Sequence, residues 1–181
     1  IYLAKNNNFI LRQKSLRKYN SEFKIVLIFR RPLAHAFSLL NQHEKFSEKQ
    51  KEDTFVLEYM NWLGHHEFGL NHKAFNFESS NTIQKYKSNS INYWLTIWID
   101  YYSYVISLPE DKNLFLVEYA DLCNTPNKLL KVLEGKLGLE LSDNQKKPYP
   151  GRELPELKPN PEIIQIANNL YKELVKHKVV N

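Results

Sequence analysis

Apolar and polar positions along the chain fall into short blocks with recognisable periods. Residues Lys24 to Phe29 form a run rich in β-branched and aromatic side chains, the composition of a strand buried on both faces in a parallel sheet. Arg30 and Arg31 follow at once, then Pro32, which suits the first turn of a helix. Leu33, Ala36, Phe37 and Leu40 then recur at helical spacing, so the unit reads as strand, basic turn, helix. Upstream, Ile1 to Ala4 reads as the end of a strand, Lys5 to Asn8 as a turn, and Phe9 to about Lys18 as a helix. Downstream, Asn41 to Gln50 is polar and reads as a loop. Asp53 and Thr54 begin a helix to about Leu63, closed by Gly64, with Phe55, Val56, Tyr59, Trp62 and Leu63 on one face. Gly69 to Asn89 reads as a long exposed loop.

Ser90 caps the clearest helix, Ile91 to Leu108. Ile91, Trp94, Leu95, Trp98, Tyr101, Tyr102 and Val105 mark its apolar face, while Asn92, Thr96, Asp100 and Ser103 alternate out of it. That aromatic stripe is read as core. Leu114 to Val117 is a second short strand. Thr125 and Pro126 start a helix carrying Leu129, Leu130, Val132 and Leu133 and ending at Gly138. Ser142 to Pro159 is a proline-stiffened loop, and Asn160-Pro161-Glu162 opens a last helix with a lysine-rich end from Lys172 to Lys178.

Composition narrows the class. The 181 residues suit one domain, 1–181, with a real core. With 43% hydrophobic and 25% charged residues the chain is globular rather than disordered. The formal net charge of +5 favours phosphate-bearing ligands. Its lysines are scattered, which argues against a nucleic-acid-binding face. One cysteine, Cys123, excludes an internal disulfide. No Cys pair or HExxH is present, so no metal is expected. No apolar run approaches the roughly 20 residues that span a bilayer, and no signal peptide is evident. A bacterial cytoplasm is the expected setting.

Ligands in open α/β sheets bind beyond the carboxyl ends of strands, where Arg30 and Arg31 fall. Arginine offers a planar fork matched to phosphate oxygens. Ser38, eight residues after Arg30, places a hydroxyl on the second helical turn. Taken alone, the stretch also suits an ordinary βα turn with a surface arginine.

Strand–Arg–x–Pro–helix with a serine eight residues after the arginine resembles the 3′-phosphate-binding motif of PAPS-dependent sulfotransferases (PAPS is 3′-phosphoadenosine 5′-phosphosulfate). The segment VEYADLCNTP resembles the family's strand followed by Tyr-Glu-Asp-Leu and Asp-Pro, with Ala120 and Thr125 where acids are usual. Leu137-Gly138-Leu139 matches the end of the next helix. The resemblance implies an α/β fold of the P-loop NTPase-like sulfotransferase type: three layers, a mostly parallel short-stranded sheet, flanking helices, helix-rich overall. It implies that Arg30 and Ser38 hold the 3′-phosphate, that Tyr119 packs on adenine, that Lys5 acts in catalysis, and that Arg152, in the late Gly151-Arg152 loop, closes over the 3′-phosphate. The donor would be PAPS, the product 3′,5′-ADP, and the acceptor a small molecule or glycan selected by the Gly69–Asn89 loop. The histidine base of the cytosolic enzymes is replaced by Asn7, which cannot take a proton at neutral pH, so the base is unassigned. The family's 5′-phosphosulfate loop would precede Ile1, and an upstream segment is expected. Two other functions fit the basic turn or the charge: a P-loop-type nucleotide kinase or NTPase fragment, and a basic nucleic-acid-binding module.

Overall fold

The computed structural model describes residues 3–5, 9–75, 77, 85–140, 147–149 and 154–180. The chain divides into two compact units, one of Ile1–Phe29, Leu108–Pro150 and His177–Asn181, the other of Arg30–Ser107 and Gly151–Lys176. It is helix-rich, with a small parallel sheet in the first unit. Among the described residues no helix is long and apolar enough to cross a membrane.

In the first unit, a 3-10 turn (Phe9–Arg12) leads into α1 (Gln13–Tyr19) and then β1 (Ile25–Phe29). β1 pairs in parallel with β2 (Leu114–Glu118), in register from Ile25↔Leu114 to Phe29↔Glu118. Both apolar runs therefore form the strands expected of them. β1 is not buried on both faces, however. Leu27 and Phe29 are buried, but Val26 and Ile28 are 40% and 49% exposed. Side chains alternate along a strand, and β-branched residues favour the pleated backbone even on its open face, so an unbroken apolar run does not guarantee two covered faces. β2 is the strand covered on both sides, with Phe115 to Glu118 all buried.

Beyond β2 come α5 (Tyr119–Asn124) and α6 (Pro126–Leu137). One buried cluster of this unit is Val117, Leu129, Leu133 and Val180. Gly138 closes α6 in the left-handed region, φ +66°, as its position predicts. Thr125 does not cap α6. It ends α5 as well as starting α6, and its hydroxyl donates back to the Asp121 carbonyl at 3.3 Å. The tail after residue 176 was expected to serve only a helix end. Instead Lys178 bridges Leu116 in parallel, and Val179 N–H donates to the Leu116 carbonyl at 2.9 Å.

A partly buried ion pair ties α1 to the turn before β2. Arg17 donates to Asp111 Oδ2 through Nε at 3.1 Å and Nη2 at 2.7 Å, and Gln13 Nε2 donates to the same oxygen at 2.6 Å. Burial alone would raise the Asp111 pKa. The Asn113 N–H, Arg17 and Gln13 outweigh it and hold the carboxyl below its ordinary value. A carboxyl depressed on folding stabilises the protein above its unfolded pKa of about 4, and that contribution is lost as pH falls through the folded pKa. Asp111→Ala is therefore expected to cost about 1–3 kcal/mol at neutral pH. The gap from wild type should shrink in acid, and urea unfolding at both pH values would reveal it.

The second unit is helical: α2 (Pro32–Glu52), α3 (Thr54–Trp62), α4 (Ile91–Ser107) and α7 (Pro161–Lys176). α4 packs on α2 and α7. Its buried face includes Trp94, Leu95, Trp98, Tyr102 and Val105, as the pattern predicts. Thr96 is also buried rather than outward, because its hydroxyl is satisfied within the helix by the Tyr93 carbonyl at 2.6 Å. Asn160 caps α7, its Oδ1 accepting from Glu162 N–H at 2.9 Å and Ile163 N–H at 3.2 Å.

The expected loop at 41–50 is instead the second half of α2. Its residues are good helix formers, and the inward stripe continues from Leu40 through two buried polar side chains, His43 and Gln50. Both are used. His43 Nδ1 accepts from Gly69 N–H at 3.2 Å, and Gln50 Oε1 accepts from Leu70 N–H at 2.6 Å. Gly69 adopts φ +89°, and a Cβ there would run into the Gln50 amide, so only glycine fits. The described part of 69–89 is exposed at Leu70, Asn71, Lys73, Lys85, Lys87 and Asn89, but Gly69 and Phe77 are buried, and Phe75 and Phe77 pack on Tyr101 of α4. Asp53 caps α3 by accepting from Phe55 N–H at 2.9 Å. Phe55, Tyr59 and Trp62 of α3 remain exposed, Tyr59 stacked on Phe55 and Trp62 edge-on to it.

Candidate functional site

The chain leaves β1 at Phe29, places Arg30 next, and starts α2 at Pro32. Arg31 occupies the N-cap position, and no side chain caps the helix. Neither is there an acidic residue in its first turn. A 21-residue helix thus begins, among the described residues, without a side-chain cap on its backbone N–H groups and with two arginines beside them. Such an end attracts anions through its aligned peptide dipoles and its orphan donors.

Arg30 is half-buried and Ser38, on the second turn, is exposed. His35 lies between them in sequence. It shares a helix face with Ser38 at i,i+3 spacing. Its Nδ1 is enclosed without a hydrogen-bond partner. Burial, followed by the Arg30 charge, lowers the His35 pKa to about 4, so the ring is neutral at neutral pH. Buried polar atoms are ordinarily bonded, so the unmet Nδ1 is an exception within the opening turns of α2. Sequence reasoning passed over His35. Its i,i+3 relation to Ser38, just after the basic turn, was the available signal.

Tyr119 is the residue after Glu118, the last of β2, and heads α5. Hydrogen bonding with Cys123, then burial and Tyr149, raise its hydroxyl pKa to about 12. Tyr149 is held in turn by its N–H on the Cys123 carbonyl at 2.9 Å. The Tyr119 ring is half-buried, leaving part of its surface for contact. The register Phe29↔Glu118 ends both strands at one level.

Lys5 sits in irregular, exposed chain of the first unit. Arg152 and Asn7 lie outside the described residues. Arg30 immediately precedes α2 and His35 and Ser38 lie on its opening turns, while Lys5 and Tyr119 belong to the other unit. Among the described residues no group of three or more His, Cys, Asp or Glu side chains could hold a metal ion. No protein-family model, curated protein or solved structure matches this chain.

Proposed function

We propose that the chain binds PAPS and its product 3′,5′-ADP and serves sulfuryl transfer to a hydroxyl or amine acceptor, on a sheet of the P-loop NTPase-like sulfotransferase type. The observation that carries this reading is the parallel strand that runs straight into Arg30 and an uncapped, acid-free helix start. Arg30 supplies the bidentate fork for the 3′-phosphate, and Ser38 adds a neutral donor from the next turn. Tyr119 provides a ring for the adenine. These contacts are remote from the reacting sulfur, and their binding energy aligns it.

In the reaction, the acceptor atom attacks sulfur as the S–O bond to the 5′-phosphate breaks and 3′,5′-ADP leaves. Lys5 would offset negative charge on the departing oxygen. Arg152 would close on the 3′-phosphate. The acceptor's proton goes to a base that the described residues do not identify.

Calorimetry with 3′,5′-ADP tests the reading directly. Saturable binding is expected without Mg²⁺, with ATP at least about tenfold weaker because it lacks the 3′-phosphate. Equal affinity for ATP, or a requirement for Mg²⁺, would favour a nucleotide kinase instead.

A further inference from the structure

A second place in the helical unit is built for a ligand of different chemistry. An open pocket of about 400 Å³ is lined by His43, Ser47, Gly69, His72, Ser88 and Tyr93, with Leu70 at one wall. That volume lies within the range of small-molecule sites, roughly 300–1,000 Å³. His43 is eleven residues beyond Pro32, roughly 17 Å along α2 at 1.5 Å per residue, so the pocket is separate from the basic turn.

The hydrogen bonds determine what each group offers. The His66 carbonyl can only accept, so His72 Nδ1, at 3.2 Å, carries the ring proton. His72 Nε2 then accepts from the Tyr93 hydroxyl at 2.8 Å. The hydroxyl's proton is committed, and its oxygen remains as an acceptor. Gly69 N–H can only donate, so His43 Nδ1 is an acceptor and its proton sits on Nε2, a donor. The same assignment argues against a metal: His43 would have to coordinate through a nitrogen that bears hydrogen. Ser47 and Ser88 add hydroxyls that both donate and accept.

The pocket is also uncharged. Burial first, and mutual repulsion second, lower the His43 pKa; burial lowers that of His72 despite its backbone hydrogen bonds. Among the described residues no Lys, Arg, Asp or Glu lines the walls. A charged ligand would enter without a counter-charge, which is costly. The two imidazoles stand edge to face at 5.3 Å and both rest against Trp94, at 5.3 Å and 5.0 Å, which holds them rigid.

We infer that this pocket binds a neutral, hydroxyl-rich small molecule of the saccharide type, through His43 Nε2–H, the Tyr93 oxygen and the two serine hydroxyls. Gly69, Leu70, His72 and Ser88 belong to the segment expected to select the acceptor, but the inference rests on the pocket's own geometry and not on the nucleotide-binding proposal. The test follows the side-chain nitrogens of His43 and His72 by NMR in the full chain, labelled at histidine. The probes are maltose and cellobiose, with glucose 6-phosphate as the charged comparison and Zn²⁺ as the metal comparison.

Saturable shifts of both histidines with a disaccharide are expected, with glucose 6-phosphate weaker. Ser47→Ala and Tyr93→Phe should each weaken binding about tenfold, the effect of one lost hydrogen bond. Ser47→Ala removes only a pocket-lip hydroxyl and guards against a fold defect in the tyrosine variant. Arg30→Ala should leave the response intact, which separates this site from the nucleotide site. The inference is overturned if neither disaccharide moves these resonances, if both variants bind as wild type does, or if Zn²⁺ binds tightly at both rings.

Discussion

Arg30→Ala is expected to lower the affinity for 3′,5′-ADP by about 30-fold or more. Truncating one partner of a close, desolvated charge pair costs about 2–5 kcal/mol, and each 1.4 kcal/mol is a factor of ten. Arg30→Lys should fall between wild type and alanine, because an ammonium keeps the charge but not the planar two-point fit. Ser38→Ala should cost about tenfold, the value of one neutral hydrogen bond. Arg30 has interactions within the protein as well, so each variant needs an unchanged urea midpoint to count. Calorimetry reads the three affinities. If Arg30→Ala bound 3′,5′-ADP as tightly as wild type, the phosphate would not sit at this turn and the sulfotransferase assignment would fail with it.

The parts of the fold written in local chemistry were legible from sequence. Asp53 and Asn160 cap their helices, Gly138 closes α6, and the aromatic face of α4 is buried as its spacing implies. What escaped were positions where polar residues do the work of apolar ones. The second half of α2 is invisible to a hydrophobic pattern because its inward residues are His43 and Gln50, held by backbone partners about twenty residues or more away. β1 erred the other way, with apolar Val26 and Ile28 left half open. The site divides along the same line. Arg30 and Ser38 follow from a short spacing in one segment. His35 becomes notable only once its Nδ1 is seen enclosed beside Arg30. The His43, His72 and Tyr93 cluster joins three segments and has no spacing for a motif to capture.

Lys178→Ala is expected to destabilise the protein by about 3–5 kcal/mol, the cost of leaving buried charge uncompensated. The ammonium sits 2.7 Å from Glu118 Oε2 and 2.9 Å from Asp121 Oδ2. The side chains are only 15%, 10% and 18% exposed, in the order Lys178, Glu118, Asp121. Burial alone would lower the lysine pKa, but the hydrogen bonds and charges of the two carboxylates raise it, so the group is fully charged at neutral pH. The loss would also release Val179 from Leu116 and Val180 from the core it shares with Val117. Against a typical total stability of about 5–15 kcal/mol, this is a large fraction. Added salt should rescue little, since screening acts weakly on buried pairs. A triple variant, Lys178→Met with Glu118→Gln and Asp121→Asn, should recover most of the loss, because the penalty lies in the unpaired carboxylates rather than in the missing attraction. Urea unfolding separates the cases: a single variant within about 1 kcal/mol of wild type would mean that water already reaches the pair and that the C-terminal bridge to β2 is held by its backbone and Val180 alone.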